Sequence, residues 1–210
     1  MLERHYTMSK TMNPINYKEY PECMFAMLSA FLPGSEGHYL RRVAGGVQFR
    51  STDSDGNTYR NGLLHSYDDQ PSHTMYDQKL WHRDGDLHRD GNLPASINEQ
   101  YCSWYKNGRP HREGDLPAID GPEKEWRING ALHREGGKPA IIAGDRQEWF
   151  VNGRRHRSGD LPAIVDSRSQ EYWVNGRRHR DGDLPALIYW DCYEWWVNGE
   201  FVRRVSVSQN

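Results

Sequence analysis

Long apolar runs are missing from this chain. No stretch approaches the ~20 residues that a transmembrane helix needs. Hydrophobic residues make up only 36% of the 210, and the mean hydropathy is −0.97. That excludes a large globular core, and it would suggest disorder if aromatics were also scarce. They are not: there are eight Trp and twelve Tyr, which argues for a thin, ordered structure with an aromatic core. Net charge is nearly absent at −2, so no global basic balance points to nucleic acid and no acidic tail is present. Cysteine is sparse: Cys23, Cys102 and Cys192 are odd in number, far apart and without a CxxC motif. Free thiols in a reducing compartment are expected. Residues 1–5 open no apolar signal region. The expectation is a soluble protein of the cytoplasm. Phosphate loops, nucleophile elbows, HExxH and kinase signatures are also missing, so no enzyme is predicted.

What is there is a repeat. The stretch from Glu148 to Ile164 returns almost verbatim from Glu171 to Leu187. Asn-Gly recurs at Asn107, Asn129, Asn152, Asn175 and Asn198, in steps of 22, 23, 23 and 23 residues. Degenerate copies centre on Asn61 and Asp84, making about seven units, the last truncated. Such a period marks a quasi-one-dimensional array, each unit burying only the face it turns to its neighbours.

Asn-Gly between β-favouring segments predicts a two-residue type I′ hairpin, because both central residues need positive φ. That turn sets the register. It places Trp149 opposite His156 and Glu148 opposite Arg157, with equivalent Glu–Arg pairs at Glu125/Arg134, Glu171/Arg180 and Glu194/Arg203. Alternation then separates two faces. Face one carries Val or Ile beside the turn, then Trp and His, and reads as the packed face. Face two carries the Glu–Arg pairs and a variable couple: Tyr105/Pro110, Arg127/Leu132, Phe150/Arg155, Trp173/Arg178 and Trp196/Phe201. After each hairpin comes a Gly-Asp-Leu-Pro-Ala-Ile segment or a variant of it. Its proline cannot donate to a ladder, so this segment reads as an edge or connector, not a central strand.

The fold class expected is therefore all-β: an elongated array of β-hairpin repeats over 57–203 with a short N-terminal α-helical cap. Within residues 1–37, helical spacing of Met24, Phe25, Met27, Leu28, Phe31 and Leu32 stops at Pro33-Gly34. This helix either caps the array or docks a partner or membrane. Residues 38–56 read as a strand-rich junction or degenerate repeat, and 204–210 as a tail.

Six histidines share one register: His65, His88, His111, His133, His156 and His179. Metal sites close with several ligands at one point, not as a ladder. The expected role is structural, each ring packing on indole in one tautomer. The loop acids Glu113, Asp115, Asp160 and Asp183 supply too few oxygens for calcium. No metal or cofactor is predicted. The candidate partner-binding residues are Tyr105, Arg127, Phe150, Arg155, Trp173, Arg178, Trp196 and Phe201. Interleaved aromatics and Arg suit protein hot spots or single-stranded nucleic acid, unless the rings pack under a neighbouring unit.

With its W-x-V-N-G-x-x-H-R-x-x-G-x-x-P-A units, the stretch 57–203 resembles the variant MORN-type (YwqK-like) repeat proteins found in large DNA viruses, phages and bacteria. It departs from the common MORN pattern in its His-Arg and Pro-Ala elements. The resemblance implies an elongated array of hairpins that contacts proteins, sometimes lipid, without catalysis. A viral protein of this kind would block a host factor in the host cytoplasm or join a virion assembly. The alternative reading is nucleic-acid or anionic-lipid binding through the Arg/aromatic face.

Overall fold

A computed structural model describes residues 39–43 and 46–207. The helix expected within 22–32 lies outside them. Among the described residues every regular element is a β-strand and every pairing is antiparallel, with no helix.

The unit around Asn175 shows how the sequence builds the fold. Ile164–Val165 pairs with Ser169–Glu171 across a turn closed by Asp166, whose Oδ1 accepts the N–H groups of Arg168 and Ser169. Trp173–Val174 then pairs with Arg177–Arg178 in a tight hairpin. Its central residues have φ of 50° (Asn175) and 83° (Gly176). Asn and Gly enter that left-handed region at least cost, so the type I′ expectation holds. The chain loops through 179–186 and returns as Leu187–Tyr189, which pairs with Ser169–Glu171.

Each complete unit thus makes four strands, not two. Two of them join a single thirteen-stranded sheet running from His73–Met75 to Glu200–Ser206, while the Asn-Gly hairpins stand apart as separate two-stranded ladders. With neighbouring strands ~4.8 Å apart, each unit advances the sheet by about 9.6 Å.

Two expectations need correction. The Pro-Ala-Ile segment is not a connector, because its Ile opens or extends a central strand of the long sheet. The proline stands before the strand, where its missing N–H removes no ladder bond. The following alanine is the packing point: Ala95, Ala118, Ala140, Ala163 and Ala186 are all completely buried. The expected Glu–Arg ladder pairs also fail, in the last unit because Glu194 lies opposite Arg204 and not Arg203, and in the complete units because the strand leaves the hairpin. Glu148 lies in the long sheet between Ile141 and Ile164, and hairpin pairing ends at Phe150 opposite Arg155. The strand changes partner at Trp149, which donates its N–H to Ala163 O and accepts from His156 N. One residue of frame is consumed by that switch, so Arg157 never comes opposite Glu148. Only the last unit runs on unbroken. Cys192–Val197 pairs with Glu200–Ser206 through a bulge at Trp195/Trp196, and the strand continues past 204. At the other end, Tyr39–Val43 and Gly46–Thr52 form a hairpin that extends through Thr58–Arg60 and Leu63–Leu64.

Candidate interaction surfaces

Face one is held by a motif that repeats at fixed intervals. The Trp149 ring is buried, and its Nε1 donates to Gly137 O at 2.8 Å. Trp81, Trp104 and Trp195 make the same bond to the carbonyl twelve residues back. Trp126 belongs to the one clear step of 22 residues, and its Nε1 has no partner among the described residues. Eight residues after each ring an arginine lies over it. Arg157 sits 3.7 Å from the Trp149 centroid, and Arg89, Arg112, Arg134, Arg180 and Arg203 repeat the stack. Up to Arg180, each of these guanidinium groups also donates to the proline carbonyl five residues on. Four of the six reach back to an aspartate of the preceding unit: Arg89–Asp69, Arg134–Asp115, Arg180–Asp160 and Arg203–Asp183. These hydrogen bonds hold the Asp69, Asp115 and Asp160 carboxyls below the usual carboxylate range. The +8 interval is visible in the sequence, but the hairpin register assigned those arginines to Glu instead.

The histidines stitch unit to unit. Nδ1 of His88, His111, His133, His156 and His179 each accepts the backbone N–H of the Asn opening the next turn, at 3.1–3.4 Å. His65 does the same for Asp84. An acceptor Nδ1 puts the proton on Nε2, so the single-tautomer expectation agrees with the geometry. On the other side of each ring, Nε2 reaches Asp90, Glu135 and Asp181 at 3.0–3.1 Å, and Ser158 Oγ in the unit that lacks an acid there. Among the described residues no three His, Cys, Asp or Glu side chains gather as a metal site.

On face two the structure brings six of the eight predicted residues, Phe150, Arg155, Trp173, Arg178, Trp196 and Phe201, into one continuous row, though not as free side chains. Phe150 is buried, sharing a cluster with Trp126, Ala140, Leu132 and Ile141. Arg155 lies 5.2 Å from the Phe150 ring and 5.5 Å from Trp173. Arg178 lies 5.2 Å from Trp173 and 5.0 Å from Trp196, and Trp196 meets Phe201 edge-on at 5.3 Å. Glutamates anchor the row: Glu148 accepts from Arg155 and Arg146, and Glu171 from Arg178 and Trp173. Arg127 binds Glu125 and Gly130 O, and Tyr105 is half-buried opposite Pro110. Phe201 alone is well exposed, at 54%. Beside the row an open groove of about 660 Å³ is lined by Arg146, Asp166, Glu171, Arg178, Glu194 and Arg204.

Comparisons of the chain with protein-family models, with curated proteins and with solved structures find no match.

Proposed function

We propose that this chain is a non-enzymatic repeat scaffold of MORN-like type that binds another protein along face two. One observation carries the reading. The frame of Trp or Tyr, His, Arg and buried Ala is held from unit to unit, while the aromatic–arginine row changes and ends at exposed Phe201. Variation on a fixed frame is how repeat proteins set a binding surface, and aromatics and Arg are frequent hot spots. A cytoplasmic setting and a viral or phage origin belong to the same reading, with the partner a host factor or virion component.

A photo-cross-linking residue at Phe201 and another at Tyr76, the far-end turn residue, test it inside cells. A discrete product from position 201 alone, lost in Trp196→Ala, is the expected result. Identical patterns from both positions would remove face two as the contact.

The second reading, nucleic acid or anionic lipid, has its own observation. Arg109, Arg154 and Arg177 stand exposed beside the Asn107, Asn152 and Asn175 turns, and their side chains make no hydrogen bond or ion pair among the described residues. Binding to oligonucleotides or anionic vesicles that falls steeply with salt would favour it.

A further inference from the structure

Face one is closed over its rings but open in its aliphatics. Two rows of side chains repeat along it. The first is the Leu before each Pro-Ala: Leu93, Leu116, Leu161 and Leu184. The second is the residue before each Asn: Ile128, Val151, Val174 and Val197. All eight are 38–48% exposed. The rows meet. Leu116 of one unit and Ile128 of the next line the same notch of about 440 Å³, and Leu93 opens onto the two notches before it. Lys138 takes the leucine position between Leu116 and Leu161, and Lys106 the position before Ile128, so the unbroken part of the strip runs over Val151, Leu161, Val174, Leu184 and Val197.

Charge is sorted on either side of these aliphatics. Toward the turns stand Arg109, Arg154 and Arg177, exposed and without a partner among the described residues. Toward the loops stand Glu135 and Asp181, 86% and 97% exposed, whereas the equivalent Asp90 and Glu113 are paired with Arg83 and Lys106. Isolated exposed aliphatics are ordinary, but a contiguous apolar strip with polar margins marks a contact site.

We infer that this strip receives an amphipathic α-helix of a partner protein, lying along the array, with an apolar seam, an acidic flank toward the arginines and a basic flank toward the carboxylates. The scaffold reading underlies this, but the face is the opposite one. Three features select the helix. Its heptad advances about 10.5 Å, close to the ~9.6 Å step of the units, so one seam residue meets each notch. An apolar stripe at i, i+3, i+4, i+7 is what a grooved aliphatic strip accommodates. A polyproline ligand would need open aromatic slots, whereas Trp81, Trp104, Trp126 and Trp149 are buried under their arginines.

The test uses the full chain and labelled peptides of about four heptads, all with a Leu seam: one with a Lys flank and a Glu flank, one with two Lys flanks, one with two Glu flanks, and a mixed-flank control with Ser in the seam. A helix turned end for end exchanges its flanks, so the mixed peptide fits in one direction or the other. It should bind at least about tenfold tighter than the other three. Leu161→Ser with Leu184→Ser should remove that binding without lowering the melting temperature. Glu135→Lys with Asp181→Lys should transfer preference to the peptide with two Glu flanks, a gain that misfolding cannot imitate. Phe201→Ala should leave the affinity unchanged, which separates this strip from face two. Equal affinity for all peptides, no binding of the mixed one, or unchanged preference in the lysine variant would overturn the inference. So would competition for the strip by anionic vesicles or oligonucleotides.

Discussion

At the scale of the residue, the indole rings hold the frame. Trp149 is buried, capped by Arg157 and hydrogen-bonded through Nε1 to Gly137 O. Trp149→Ala should cost roughly 3–5 kcal/mol in equilibrium denaturation. A finer comparison isolates the hydrogen bond. Trp149→Phe leaves Gly137 O without its donor, whereas Trp126 Nε1 has no partner among the described residues to lose. Trp149→Phe should therefore exceed Trp126→Phe by about 1 kcal/mol; equal costs would show that the bond adds nothing net. Acid acts through two other rings. Burial pushes the pKa values of His82 and His65 down, and His82 Nδ1 lies 2.8 Å from the buried Ser72 Oγ. The unfolded chain then takes up protons first as pH falls. The contribution of these rings is complete above the ordinary His value of about 6.5 and is lost as pH drops through it toward the lower folded values. Urea midpoints at pH 7.5 and 5.5 should differ in that direction, and His82→Gln should reduce the difference.

At the scale of the element, the long sheet depends on small side chains. Ala163 is completely buried where the strand takes over from the loop, donating to Glu171 O and accepting from Trp149 N. A larger residue there must push two units apart. Ala163→Leu should destabilise by about 1–3 kcal/mol, read in the same denaturation experiment. Trp173 and Arg178, two of the candidate partner-binding residues, sit between units: Arg178 bonds Glu171 and faces both Trp173 and Trp196. Replacing both with Ala should cost more than the ~1 kcal/mol of a surface change. A melting temperature equal to that of the parent chain would return them to the surface. Phe201 is the better probe of binding on this face because it ends the row.

At the scale of the whole molecule, thirteen strands in chain order make an open ribbon with edges at His73–Met75 and Glu200–Ser206. At ~4.8 Å per strand it spans roughly 58 Å. Small-angle scattering should give a radius of gyration well above the ~17 Å of a compact chain of 210 residues; a value near that figure would mean the ribbon folds on itself.

The sequence determined what is local. Asn-Gly set the hairpin turns because few residues adopt two successive positive φ values, and the period of 22–23 residues set the number of units. The shared histidine register announced a structural ladder, since identical positions in stacked units must meet. Tertiary structure decided which strands pair beyond each hairpin. Alternation cannot reveal that Trp149 changes partner, because that depends on Ala163 arriving from the far side of the loop to accept its N–H. Once it does, Glu148 belongs to the sheet, Arg157 is freed to cover the indole, and face two closes on itself between units. The aliphatics of face one, assigned to packing by the hairpin alone, remain in solvent because arginine has already covered the rings beneath them.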